Sequence, residues 1–127
     1  MVILLGFFSL SAQQKPEEII HHFFKTYKEQ PEKAIRNLYA TNPWSVMIQK
    51  DIDQIINIVN GIEDSMGNYS GYEPVRLKKL GSCYSQYIYL VKYERQPLLF
   101  YFNLYKVKGK WIVLSFSLND KLEKYLE

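Results

Sequence analysis

The stretch Tyr84–Leu118, YSQYIYLVKYERQPLLFYFNLYKVKGKWIVLSFSL, decides the fold. It is dense in Tyr, Phe, Leu and Val, and it is interrupted at Glu94–Pro97 and at Lys108–Gly109. Aromatic and β-branched runs that are bounded by Gly and Pro signals are typical of β-strands. The stretch therefore predicts three strands joined as hairpins: Tyr84–Glu94, Leu98–Val107 and Lys110–Leu118.

The residues before this stretch predict three helices and one further strand. Pro16 opens the first helix and Pro31 opens a short second one, because proline suits the first turn of a helix. The third helix has its apolar stripe within Ile48–Met66, and Gly67 is expected to end it in the left-handed conformation. Glu73–Leu80 is the predicted first strand. The predicted fold class is α+β, with three N-terminal helices packed on a curved four-stranded antiparallel sheet.

Two-residue loops at Arg95–Gln96 and at Lys108–Gly109 would set the strand registers. On that basis Tyr89 lies opposite Phe102, and Phe102 lies opposite Ser115. The first sheet face then holds Tyr87, Tyr89, Val91, Phe100, Phe102, Leu104, Trp111 and Val113, with Ser115 and Ser117 as its polar positions. The second face holds Ile88, Leu90, Leu99, Tyr101, Tyr105, Ile112, Leu114, Phe116 and Leu118, with Asn103 as its polar position.

Both predicted faces are apolar, whereas a sheet that is covered on one side only would alternate apolar and polar residues. Three helices can cover one face, and a large exposed apolar patch usually marks an interface. We therefore expect a homodimer that packs sheet to sheet about a two-fold axis. The candidate interface residues are Ile88, Leu90, Tyr101, Asn103, Tyr105, Ile112, Leu114 and Phe116.

The N-terminal residues predict an exported protein. Met1–Leu10 is almost entirely apolar and is followed by the small residues Ser11 and Ala12, which is typical of the back half of a secretory signal peptide. The run is too short to span a bilayer, which needs roughly 20 apolar residues. A positive segment before the run is missing, so the signal is atypical or translation starts upstream of Met1. We expect residues 1–12 to be the signal peptide and 13–127 to be one domain, periplasmic or secreted, with no stable membrane insertion of the mature chain.

Composition narrows the function classes. The 127 residues carry a net charge of +3, and the basic residues alternate with acids in no run longer than Lys78–Lys79. A nucleic-acid partner is therefore not expected, since such proteins usually carry a basic patch. The single cysteine, Cys83, cannot build a disulfide or a metal site alone, and we expect it to be half-buried or buried in a strand. His21 and His22 point about 100° apart on a helix, so neither a metal site nor a cofactor is predicted.

Three helices, the third long and closed by Gly67, precede a meander that ends in Lys108-Gly109-Lys110-Trp111-Ile112-Val113 and Phe116. This order resembles the cone-shaped α+β fold of the nuclear transport factor 2-like superfamily, and is most similar to its small exported bacterial members. The resemblance covers roughly residues 16–118. It implies that the helices close one end of a cone and that the concave sheet face forms a pocket. Members include isomerases, dehydratases, hydrolases and non-catalytic binding domains, so the resemblance does not choose among these functions.

The first sheet face supplies the candidate binding site. This face is apolar apart from a few hydroxyl groups that could anchor a ligand. Small-molecule pockets usually have this composition. The pocket candidates are Tyr27, Trp44, Tyr87, Tyr89, Phe102, Ser115 and Ser117. No carboxylate or histidine on the strands is placed as a general base. The leading hypothesis is an exported, non-catalytic domain that binds a small, mostly apolar ligand or a protein partner.

Three other interpretations stay open. The same aromatic residues could simply form the core, which is the default for periodic aromatic side chains. An enzyme of the isomerase, dehydratase or hydrolase type would need a pocket tyrosine and a displaced carboxylate, such as Glu73 or Asp120, inside the cavity. A fully packed interior would instead favour a structural module that only dimerises.

Overall fold

The computed structural model describes residues 14–127, and the expected signal peptide lies outside this range. Within the range, three α-helices precede a curved four-stranded antiparallel sheet of order β1-β2-β3-β4, which does not close into a barrel. The predicted α+β class is confirmed. The elements are α1 (Pro16–Tyr27), α2 (Pro31–Tyr39), α3 (Gln49–Met66), β1 (Tyr69–Leu80), β2 (Tyr84–Tyr93), β3 (Leu98–Val107) and β4 (Lys110–Asn119), with 3₁₀ helices at Pro43–Ile48 and Leu122–Tyr125.

α1 forms where the sequence predicts it. Pro16 lies in the first turn, and the backbone N–H of Lys15 donates to Glu18 Oε1 at 2.8 Å, which fixes the entry of the chain into the helix. The predicted apolar stripe is buried against the sheet. It consists of Ile19, Ile20, Phe23, Phe24 and Tyr27.

α3 is the longest helix and is amphipathic along its length. Its buried residues recur at helical spacing as Ile52, Ile56, Val59 and Ile62, while the positions between them are mostly polar and exposed. In the part of the chain that the structure covers, no helix combines the length and the apolarity needed to cross a bilayer.

α3 ends at a glycine that lies against the β2–β3 turn. Gly67 has φ 89° and ψ −169°, a combination that only glycine adopts readily, so the predicted stop is confirmed but its left-handed conformation is not. Two hydrogen bonds to the turn explain the difference. Glu94 Oε1 accepts from the N–H of Asn68 at 2.8 Å, and the N–H of Arg95 donates to the carbonyl of Met66 at 2.8 Å.

β1 begins at Tyr69, not at the predicted Glu73. Ser70 and Gly71 are residue types typical of loops, but Tyr69 pairs with Tyr93 of β2, and a register shift between Tyr69 and Gly71 takes up the irregularity. The ring of Tyr69 packs edge-on against Tyr27 of α1 with 5.6 Å between centroids. A contact with a helix therefore orders a segment that has weak strand propensity of its own.

The β2–β3 register differs from the predicted one by two residues. Tyr89 lies opposite Phe100, not Phe102, because the connection between the strands is longer than a two-residue loop. Pro97 cannot donate to the ladder, and the turn before it is held by the end of α3. A shift by an even number leaves every side chain on its predicted face. Tyr89 and Phe102 therefore share one face, as the sequence predicts.

The β3–β4 hairpin starts in the predicted register and then changes at a bulge. Leu104 lies opposite Val113, but Leu114 has no partner, and the next pair is Asn103 with Ser115. One extra residue in a strand moves every later side chain to the opposite face.

The predicted face assignment of Ser115, Phe116, Ser117 and Leu118 is therefore wrong. Phe116 and Leu118 pack in the core under the helices, while Ser115 and Ser117 lie on the other face. The physical reason is that burying a phenylalanine side chain is worth about 1.5–3 kcal/mol, whereas a buried serine hydroxyl needs a partner. We call the side of the sheet that packs on the helices the inner face, and the opposite side the outer face.

The outer face is not bare. The C-terminal 3₁₀ helix brings Leu122 and Tyr125 against a cluster of Ile88, Leu99 and Tyr101, whose side chains are at most 8% exposed. The sequence predicted that the whole outer face is exposed to a partner. This prediction is wrong for the centre of the face, because the C-terminal residues of the same chain cover it.

Candidate functional site

The centre of the inner face is filled by aromatic side chains. Phe24, Phe100 and Phe102 are less than 2% exposed. Phe23 packs edge-on against Phe102 with 5.1 Å between centroids, and Phe24 stacks on Tyr72 at 3.8 Å. These are the ring geometries of a packed aromatic core. The surface that the sequence indicated as a pocket wall is therefore core at its centre.

The aromatic residues predicted to line one pocket lie in different places. Tyr27 is buried, with its hydroxyl 2.6 Å from that of Tyr93. Trp44 is 70% exposed on the 3₁₀ helix after α2, away from the core. Tyr89 packs on the core, and Tyr87 lines a groove.

The serines predicted to anchor a ligand lie on the outer face. Asn103 Nδ2 donates to Ser115 Oγ at 2.8 Å, and Ser117 lies opposite Tyr101. Asn103 Oδ1 is buried without a hydrogen-bond partner among residues 14–127. These serines and the inner-face tyrosines therefore cannot contact one ligand in a common pocket.

A groove of about 560 Å³ lies where the β1–β2 and β3–β4 turns meet the start of α1. Alternate turns of an antiparallel meander come to the same end of the sheet. Here the N–H of Lys106 also donates to the carbonyl of Cys83 at 2.7 Å, which ties β3 to the β1–β2 turn. Small-molecule sites typically have volumes of roughly 300–1,000 Å³. We call this feature the hairpin groove, and its lining includes Glu17, Lys79, Ser85, Tyr87, Lys106 and Trp111.

The shortest polar contact of the hairpin groove joins α1 to β2. The Tyr87 hydroxyl donates to Glu17 Oε2 at 2.6 Å. This hydrogen bond holds the pKa of Glu17 below its usual value; burial opposes the effect, and Lys79 and Lys15 add to it. Burial, together with the bond to Glu17, raises the pKa of Tyr87. At neutral pH the pair is therefore an ionised carboxylate held by a neutral hydroxyl.

The remaining lining combines a ring, a hydroxyl and ammonium groups. Trp111 is partly buried, and one side of its ring packs against the core. Another side of the ring lines the groove. Ser85 is 3% exposed and lies opposite Lys79 across the β1–β2 ladder. Lys106 lies opposite Trp111 across the β3–β4 ladder. The groove can thus offer ring contact, hydrogen bonds and positive charge to one small molecule.

Sequence reasoning missed this groove. The sequence pattern gives no binding role to Glu17 or Lys106 and shows Lys79 only as part of a short basic run, because these residues are far apart in the chain. The signal that could have found them is topological. The turns at Gly81–Ser82 and Lys108–Gly109 are the first and third of a meander, so the residues that flank them share one end. Cys83 lies in the first of these turns and is exposed, which corrects the expectation of a buried position.

Comparison with known proteins identifies no relative of this chain. No family model, curated protein or solved structure matches the chain. Among residues 14–127, no group of three His, Cys, Asp or Glu side chains is arranged to hold a metal ion. Any assignment of a role therefore depends on the geometry of the hairpin groove.

Proposed function

We propose that the chain is a non-catalytic binding domain and that the hairpin groove is its ligand site. The observation that carries the proposal is the joint lining of one groove by the Trp111 ring, the Tyr87–Glu17 pair and the Lys79 ammonium. This lining fits a small molecule with a flat apolar part and a polar end. The ligand is therefore less apolar than the one expected from the sequence.

An enzyme is the second candidate, because a carboxylate does lie beside a groove tyrosine. General acids and bases work best when their pKa lies near the working pH. Here the shared hydrogen bond lowers the pKa of Glu17 and raises that of Tyr87, which moves both away from neutrality. Glu73, one of the carboxylates considered for the cavity, instead forms an exposed ion pair with Lys92 at 3.1 Å. The geometry therefore supports binding better than acid–base chemistry.

Membership in the nuclear transport factor 2-like superfamily and export to the periplasm or medium form part of the same proposal. The order of helices and strands and the Gly109-Lys110-Trp111 segment support the first. The apolar Met1–Leu10 segment supports the second.

A second copy of the chain is the proposed partner of the outer face. Tyr105 is 40% exposed and Leu114 38%, and Leu90 is half-buried, so apolar surface continues beyond the C-terminal cover. A two-fold axis would place this surface against itself. Light scattering is expected to give the mass of a dimer, and Leu114→Asp is expected to give a monomer. A monomer for the wild-type chain would contradict this partner and leave the groove proposal intact.

Fluorescence titration with anilinonaphthalene sulfonate tests the groove. This probe has a fused ring system and one anionic group, which match Trp111 and Lys79. We expect saturable one-to-one binding that is weakened several-fold by Trp111→Ala. The chain offers a matched control, because Trp44 is a second tryptophan that is exposed outside the groove.

Trp44→Ala is therefore expected to leave the affinity unchanged. Thermal unfolding of both variants shows whether Trp111→Ala is still folded at the titration temperature. Trp111→Phe keeps a ring on the core and is expected to retain part of the binding. Equal loss in the two alanine variants, or no saturable binding by the wild-type chain, would contradict the proposal.

A further inference from the structure

Six lysines that are scattered in the sequence come together at one end of the molecule. Lys78 and Lys79 lie in the last three residues of β1, and the β3–β4 hairpin carries Lys106, Lys108 and Lys110 around its turn. Lys15 precedes α1 and lines the hairpin groove with Lys79 and Lys106. The meander brings both turns to this end, so the alternation of charges along the chain does not persist in space. We call this surface the basic end.

Few acids oppose these lysines. Across residues 14–18, 76–86 and 104–112, the only acids are Glu17 and Glu18. The C-terminal segment, whose Tyr125 ring lies 6.0 Å from Lys78 Nζ, adds Glu123 and Glu127. Glu17 offsets part of the charge of Lys79 and Lys15, which lower its pKa, and Glu18 accepts a backbone N–H at the start of α1. Three ion pairs occur among residues 14–127, and none involves a lysine of the basic end. The surface therefore carries excess positive charge although the net charge of the whole chain is only +3.

Exposed aliphatic side chains accompany the lysines. Leu80, at the end of β1, is 76% exposed, and Leu77 is 46% exposed. Val107, beside the second turn, is 38% exposed. Aliphatic side chains would contribute little to the binding of a nucleic acid, because its bases stack on aromatic rings and arginine guanidinium groups. The boundary region of a bilayer accepts them, while lysine stems extend so that their ammonium groups stay at the headgroups.

We propose that the basic end docks the protein peripherally on an anionic lipid surface. Leu80 and Val107 enter the boundary between headgroups and acyl chains, and the surrounding lysines contact the anionic headgroups. Such docking needs no spanning helix. It goes beyond the binding of a small molecule in the hairpin groove and does not depend on it.

Co-sedimentation with vesicles tests the proposal. The full chain is expected to bind vesicles that contain phosphatidylglycerol much more tightly than vesicles of pure phosphatidylcholine. Lysine near an anionic surface contributes enough that each Lys→Gln change should lower the partition coefficient roughly fivefold. Lys78→Gln with Lys79→Gln is therefore expected to lower it roughly 25-fold. Raising the salt concentration should weaken binding, because it shortens the range of charge attraction.

A matched control removes the same charge elsewhere. Lys28→Gln with Lys33→Gln changes two exposed lysines on the helical side, and it is expected to leave binding nearly unchanged. Leu80→Ser tests the aliphatic contribution without changing charge. These substitutions lie at exposed positions, so folding is expected to survive, and far-UV circular dichroism verifies it.

The single exposed cysteine gives a positional readout. A nitrobenzoxadiazole label on Cys83, in the first turn, is expected to brighten and shift to the blue when anionic vesicles are added. The same label on Cys83→Ser/Ser70→Cys reports the part of β1 away from that turn and is expected not to respond. Equal loss of binding in both lysine pairs, or a label response at position 70 alone, would overturn the proposal. Tighter binding to duplex DNA than to anionic vesicles would overturn it in favour of a nucleic-acid partner.

Discussion

Two glycines near the end of α3 have opposite roles at the scale of single residues. A Cβ at Gly67 would lie 2.7 Å from Glu94 Cβ, and the backbone there has φ +89°. A Cβ at Gly61 would meet no atom within 4 Å, and this residue lies inside the helix. Glycine is therefore required at one position and only weakens the helix at the other.

We expect Gly67→Ala to lower the free energy of unfolding by about 1–3 kcal/mol, because the substitution strains the backbone and crowds Glu94. Gly61→Ala should raise it by about 0.5–1 kcal/mol through helix propensity. Urea denaturation of both variants measures the two changes. Changes of the same sign would contradict the described end of α3.

The buried hydroxyl pair of Tyr27 and Tyr93 predicts a coupling energy and a pH dependence. Tyr93→Phe leaves the Tyr27 hydroxyl buried without its partner, at a cost of about 1–3 kcal/mol, and the double phenylalanine variant should lose less than the sum of the two single variants. Burial raises the pKa of Tyr27 from 10.0 to about 12. Between these values the unfolded chain releases its proton first, so the free energy of unfolding falls as the pH rises.

Denaturation at a series of pH values checks this sign. The wild-type chain should lose stability from pH 10 toward about pH 12 more steeply than the double variant. Tyr27 alone accounts for on the order of 2 kcal/mol over this range, and Tyr93, whose pKa is also raised by burial, adds to the difference. The titrations of the groups other than Tyr27 and Tyr93 are common to both proteins and cancel in the comparison. Parallel curves would contradict the buried hydroxyl pair.

At the scale of elements, the edge of β4 is closed by side chains of the segment after α2. Thr41 Oγ1 accepts from the N–H of Val113, and Asn42 Nδ2 donates to its carbonyl. Tyr39 adds a bond at Phe116. Unpaired edge groups would be free to pair with another chain.

Thr41→Val with Asn42→Ala is therefore expected to destabilise the protein by about 1–3 kcal/mol for each buried group left unpaired. It should also increase self-association with a gain of β-structure, which size-exclusion chromatography and infrared spectroscopy detect. Thr26→Val, on a half-buried threonine of α1, is the control that changes the same group away from the edge. Equal association in the control and the edge variant would contradict this role.

The same elements show which parts of the fold can be predicted from sequence patterns. Helical spacing predicted the buried stripe of α1, and hairpin signals predicted β3 to its exact ends, because both are local properties. The bulge at Leu114 was not predictable from turn length, since it depends on whether Phe116 or Ser115 gains more under the helices. It alone moved Ser115 and Ser117 out of the candidate pocket. The extension of β1 to Tyr69 was not predictable either, because it depends on the contact of Tyr69 with the Tyr27 ring of α1.

At the scale of the whole molecule, charge and site placement follow from topology. The sequence shows alternating charges, while the meander gathers Lys78, Lys79, Lys106, Lys108 and Lys110 at one end. The same fold fills the inner face with phenylalanine rings and leaves the hairpin groove beside those lysines. The sequence shows which residue types lie along each strand. Contacts between the first and third turns can be predicted only when the strand order is known.

Chemical-shift mapping tests the central claim, that the interior is packed and that ligands bind in the hairpin groove. Anilinonaphthalene sulfonate is titrated into ¹⁵N-labelled protein and the amide and indole shifts are followed. The largest changes are expected at Lys79, Ser85, Lys106 and the Trp111 indole N–H, with the amides of the packed inner face unaffected. Changes centred on Phe102 and its neighbours in the core, or on Trp44, would contradict the account.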